Sequence, residues 1–81
     1  MGIRVLFFAS LAEITGMRET VVDASVHKTI GSIFAYFIEG FPRLGAYRSS
    51  VLFAVNSEFA KPETRVREGD EVAFLPPVSG G

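Results

Sequence analysis

The 81-residue chain contains no cysteine. That excludes disulfides, thiolate-bound zinc and iron–sulfur sites, and any side-chain thiol that could act as nucleophile or carry sulfur. Net charge is also scarce: eight Lys and Arg scattered against nine Asp and Glu leave −1, with no basic stripe to neutralise phosphates. Nucleic acid is therefore not an expected partner. The apolar runs, such as residues 5–9, fall far short of the ~20 residues of a membrane span, and no signal-peptide pattern is present. A soluble cytoplasmic protein with no membrane partner is predicted. The chain opens Met1-Gly2, but Leu6 stands where an N-myristoyl signal needs Ser or Thr. His27 is the sole histidine, with no second His or Cys to complete a metal site or a nucleophile–base pair, so no metal is expected and His27 reads as a surface residue. The glycines match neither the dinucleotide nor the Walker spacing. No cofactor bound by the chain itself is expected.

What the chain has in quantity is apolar bulk: 48% hydrophobic residues, eight of them Phe. A domain this small buries only ~60–65% of its unfolded surface, so a dense core of this kind is required. One domain over residues 1–81 is predicted, with a flexible tail over 76–81. Residues 3–8 form an apolar, partly β-branched run broken only by Arg4, which suits a sheet strand. Ser10-Leu11-Ala12-Glu13 has the spacing of a capping box and predicts one short helical turn that Gly16 stops. Residues 19–22 read as a second strand, antiparallel to the first because the connection is short. From Thr29, a candidate N-cap, Ile30, Ile33, Phe34, Phe37 and Ile38 recur at helical spacing, and Gly40 and Pro42 end the helix. Residues 41–50 read as a loop, 51–55 as a strand, Asn56-Ser57-Glu58 as a turn, and Phe59 and Ala60 as a short strand. Glu68-Gly69-Asp70 predicts a solvated turn before a last strand over 71–75. The order ββαβββ implies an α+β fold, a mixed sheet packed on one main helix.

Side-chain parity then divides the strands. If Ile3, Val5, Phe7, Val72 and Phe74 face the helix, Leu6, Phe8, Ala73 and Leu75 face away, and with Phe59 they form an exposed apolar patch. Such a patch points to a protein partner unless the segment 41–50 covers it. Beside it the sequence ends Leu75-Pro76-Pro77-Val78-Ser79-Gly80-Gly81. Pro76 and Pro77 bias the chain toward an extended stalk, while Val78 and Ser79 carry no charge and no large group. Gly80 and Gly81 have no Cβ to clash in a narrow channel, and a C-terminal carboxylate on Gly81 is then the reactive group delivered. A frayed terminus carries the same letters. A carboxylate is a poor acyl donor, so a partner must activate it. Adenylation would supply the leaving group, and sulfur replacing AMP would leave a thiocarboxylate, which suits a chain without cysteine.

The segments Val5-Leu6-Phe7-Phe8-Ala9, Ala54-Val55-Asn56 and Gly69-Asp70-Glu71-Val72-Ala73-Phe74-Leu75-Pro76-Pro77-Val78-Ser79-Gly80-Gly81 resemble the sulfur-carrying small subunits of molybdopterin synthase, the MoaD family. The resemblance implies a ubiquitin-like β-grasp fold and a role in molybdenum cofactor biosynthesis. It implies that Gly81 is adenylated by a ubiquitin-activating-like adenylyltransferase using ATP and magnesium, then converted to the thiocarboxylate at the expense of a sulfur donor. The tail next enters the large catalytic subunit of a heterotetrameric synthase, and sulfur passes to cyclic pyranopterin monophosphate. On this view the chain is not catalytic alone, and Phe8, Phe59 and Leu75 meet the large subunit. Two relatives in kind remain open, a ubiquitin-like modifier joined to lysines and a thiazole-pathway sulfur carrier.

Overall fold

The computed structural model describes residues 2–77. The predicted tail positions Val78, Ser79, Gly80 and Gly81 lie outside the described residues. In chain order the elements are β1 (Gly2–Phe7), α1 (Ser10–Thr15), β2 (Glu19–Asp23), α2 (Ile30–Gly40), a 3-10 helix (Pro42–Tyr47), β3 (Leu52–Val55), β4 (Glu58–Ala60) and β5 (Glu71–Leu75). The strands form one sheet in the order β2-β1-β5-β3-β4. β1 and β5 run parallel at its centre, and the other pairs are antiparallel. This is the mixed sheet and single main helix of the β-grasp.

Residue alternation sets the layers. Ile3, Val5 and Phe7 on β1, and Val72 and Phe74 on β5, are buried under α2 together with Ile30, Ile33, Phe34 and Phe37. Five of the eight Phe lie in this core, and Phe74 sits among Phe34, Phe53 and Phe7 with ring centroids 5.0, 5.6 and 5.7 Å away. Edge-to-face and tilted rings at these distances pack well because positive ring edges meet negative faces. α2 begins where expected: the Thr29 side chain accepts a hydrogen bond from the Ser32 N–H at 3.2 Å, and the Ser32 side chain reaches back to the Thr29 backbone. Gly31 is required by a close approach. Its N–H donates to the Pro62 carbonyl at 2.8 Å, and a Cβ at this position would stand 2.8 Å from that same oxygen.

Three expectations need correction. The Ser10 hydroxyl does not cap α1; Ala9 holds the N-cap position without a side-chain hydrogen bond, and Ser10 Oγ instead accepts from the Tyr47 hydroxyl at 3.1 Å. A partner 37 residues away in sequence has taken the local cap's place. Residues 41–50 are not a plain loop, because Pro42 at the start of a helical turn and the fully buried Leu44 fold them into the 3-10 helix. His27 is buried rather than on the surface. Hydrogen bonds from Ile30 N–H to Thr64 and from Val66 N–H to Lys28 fix the chain there, and the His27 ring lies on Tyr36 with centroids 5.2 Å apart.

Candidate docking face

The outer face of the sheet is built by the residues that alternate with the core. Register settles which of them meet: Leu6 is opposite Ala73, Ala73 is opposite Ala54, Ala54 is opposite Phe59, and Leu75 is opposite Leu52. Facing side chains across strands lie ~5 Å apart, so these rows form a continuous surface. Together Leu6, Phe8, Ala54, Ser57, Phe59, Glu71, Ala73 and Leu75 line a groove of about 230 Å³. Small Ala54 and Ala73 form its floor. Phe8, 44% exposed, and Phe59, 79% exposed, stand as walls. All five predicted interface residues, Leu6, Phe8, Phe59, Ala73 and Leu75, are thus brought together.

The segment that could have covered them does not. The 3-10 helix contacts α1 and α2 and sends Leu44 into the core, on the opposite side of the sheet. Leu6 and Phe8 also wall a wider groove of about 690 Å³ that runs toward Glu13, Met17, Arg18 and Glu19. Three lining residues, Ala54, Ser57 and Glu71, were not among the sequence candidates for this face. The alternation of residues 51–55 carried the signal for Ala54, but only the pairing of β3 with β5 places it beside Ala73.

Charge borders the groove on the β2 side. Arg4 Nε meets Glu19 Oε2 and Arg4 Nη1 meets Glu71 Oε2, both at 2.9 Å. The hydrogen bond to Glu19, then the charges of Glu19 and Glu71, raise the guanidinium's pKa above its ordinary value. The triad ties β2, β1 and β5 across the outer face. At the turn before β5, Asp70 accepts hydrogen bonds from Arg67 N–H and Asn56 Nδ2, and Glu71 turns to Arg4. Among the described residues no group of His, Cys, Asp and Glu could hold a metal ion. No helix among them is long and apolar enough to cross a membrane.

β5 ends at Leu75 beside this groove, with the Phe8 N–H bonded to the Phe74 carbonyl at 3.1 Å. Pro76 is half-buried and Pro77 exposed, so the chain leaves the domain at the groove's rim. The geometry offers a partner an apolar seat beside the point where β5 ends.

Comparison with known proteins matches the ThiS family over residues 5–81. A molybdopterin synthase sulfur carrier subunit from Chlamydomonas reinhardtii is 34% identical over 83 residues, covering 100% of both chains. The Escherichia coli (strain K12) protein of the same name is 36% identical over 81 residues, covering 98% of this chain and 99% of that one. In structure, the crystallised SAMP1 from Haloferax volcanii superposes with a TM-score of 0.81 at 29% identity, covering 100% of both chains.

Proposed function

The chain belongs to the ThiS family, and from that premise we propose that it is the sulfur carrier subunit of a molybdopterin synthase, non-catalytic alone and working inside a heteromeric complex. The observation that carries this is the exposed apolar groove between Phe8 and Phe59, set where β5 hands the chain to its Pro-Pro-Val-Ser-Gly-Gly ending. A monomer gains nothing from leaving two Phe rings in water, whereas a partner that covers them also receives the tail. Relatives of the same length that match end to end and are named sulfur carrier subunits support the assignment.

The chemistry follows from the ending. An activating enzyme transfers AMP from ATP, with magnesium, to the Gly81 carboxylate and releases pyrophosphate. A sulfide equivalent from a donor attacks the acyl carbon, the C–O bond to AMP breaks, and AMP departs to leave a thiocarboxylate. The docking face seats on the large subunit, the tail enters its active site, and the thiocarboxylate sulfur forms a C–S bond to a carbon of cyclic pyranopterin monophosphate as that carbon's C–O bond breaks and the oxygen leaves, so that carrier and substrate are joined as a thioester. Hydrolysis returns the Gly81 carboxylate, and two such transfers supply a dithiolene. Throughout, this chain's residues bind and deliver; the activating and large subunits supply the catalytic groups.

Intact-mass analysis after incubation with an activating enzyme, ATP and a sulfur donor tests the proposal. The expected product differs by one oxygen replaced by one sulfur, localised to Gly81. An unchanged mass, or covalent attachment to lysines of other proteins instead, would sink it.

A further inference from the structure

Two residues from the sequence segments singled out above, Asn56 and Asp70, line neither the docking groove nor the tail, and the structure joins them. Asn56 Nδ2 donates to Asp70 Oδ1 at 3.0 Å, and Asn56 Oδ1 accepts from the Glu71 N–H at 3.0 Å. The Asn56 N–H donates to the Glu71 carbonyl at 2.7 Å. One carboxamide thus bridges the β3–β4 turn to the residues that open β5. Asp70 is itself braced, since Oδ2 accepts from Arg67 N–H at 2.9 Å and its carbonyl accepts from Arg4 N–H at 3.0 Å.

The turn needs such support. Asn56 and Ser57 stand at φ 50° and 72°, the left-handed pair of a two-residue hairpin turn. β4 is three residues long, lies at the sheet edge and has only β3 as a neighbour. Short hairpins with one flank free are marginal by themselves, and their orientation is set by the turn. Phe59, the most exposed large apolar side chain among the described residues, is carried by this strand.

We propose that Asn56, held by Asp70, is a positioning residue that fixes the β3–β4 hairpin so that Phe59 walls the docking groove. It touches neither partner nor reacting atoms and acts through Phe59. This rests on the docking role proposed above. A partner then meets a preformed groove instead of ordering the hairpin as it binds, which lowers the cost of association.

A double-mutant cycle tests the inference, using the full chain and the large synthase subunit of the same organism. Asn56→Gly keeps the left-handed backbone and removes both carboxamide bonds; Asp70→Ala removes the brace from the other side. Each is expected to weaken binding of the large subunit on the order of fivefold, from loss of one or two net hydrogen bonds' worth of order. The carrier's KM in the reconstituted synthase should rise by a similar factor with kcat unchanged. In a Phe59→Ala background the Asn56→Gly effect should shrink below about twofold, because interacting residues are non-additive. An equal loss in both backgrounds, or no loss from Asn56→Gly and Asp70→Ala when Phe59→Ala weakens binding, overturns the positioning role alone. Unaltered binding by Phe59→Ala overturns the docking role and this one with it. Should Asn56→Gly unfold the chain, the cycle is read on Asp70→Ala.

Discussion

The inner and outer faces of the sheet are made by alternate residues of the same strands. On β5, Val72 and Phe74 are fully buried while the alternating Ala73 and Leu75 remain partly open, and at the end of β1 Phe7 is buried while Leu6 before it and Phe8 just after the strand are open. The inner face is closed by α2 with rings packed edge to face. The outer face sets a smaller apolar patch beside the Arg4–Glu19–Glu71 triad, carries nothing over that patch among the described residues, and its rings stand apart as walls of a groove. The apolar content of the chain is therefore divided unequally: most of it packs the core, and a smaller set on the outer face is left open. Removing side chains from each face should separate the two.

The largest effect belongs to the inner face. Phe74→Ala empties the centre of the aromatic cluster and should cost about 3–5 kcal/mol of folding stability, the range for a buried Phe, measured by urea unfolding. A loss below about 1 kcal/mol would mean that the inner face is not the core described.

The outer face should respond in the opposite sense. Phe59→Ala should change stability by less than about 0.5 kcal/mol, yet weaken the large subunit about tenfold or more, as expected of an aromatic anchor at an interface. Calorimetric titration beside a melting curve reads both quantities on one sample. Equal loss of stability and affinity would erase the distinction between the faces.

Between these lies the cap of α2, the element that makes the inner face inner. Thr29→Ala removes the acceptor for the Ser32 N–H and should cost about 1 kcal/mol of stability. Affinity for the large subunit should not change, because the helix lies across the sheet from the groove. A change in binding constant larger than about twofold at unchanged fold would show that the two faces are coupled through the sheet.

Legibility in the sequence followed the range of the interaction. Period-two alternation in residues 3–7 and 71–75 assigns the two faces, and the helical spacing from Ile30 to Ile38 assigns α2, since both patterns are local. Ser10 misleads because its best partner is Tyr47, on the 3-10 helix. His27 misleads because what buries it is the ring of Tyr36 and a chain segment held by Thr64 and Val66. Ala54 joins the groove only through the pairing of β3 with β5. The Asn56–Asp70 bond spans 14 residues and leaves no mark in spacing. Loop-borne polar contacts of this sort are decided by tertiary approach, which local spacing does not record.

The smallest expected effect lies where the chain passes from one face to the other. Phe7 points inward, Phe8 outward, and Ala9 follows at φ 51° and ψ −126° in a turn closed by the Leu11 N–H to Phe8 carbonyl bond at 3.0 Å. A positive φ at the second residue of such a turn favours glycine, and an alanine held there stores ~1–2 kcal/mol of backbone strain. Ala9→Gly relieves that strain but adds freedom to the unfolded chain, which costs ~0.5–1 kcal/mol. The difference should leave the variant about 0.5–1 kcal/mol more stable in urea unfolding. Affinity for the large subunit should fall slightly, by less than about threefold, because a freer turn holds Phe8 less firmly at the groove's wall. A less stable variant would show that Ala9 contributes packing in the groove beside Glu13 and Met17 that outweighs its strain.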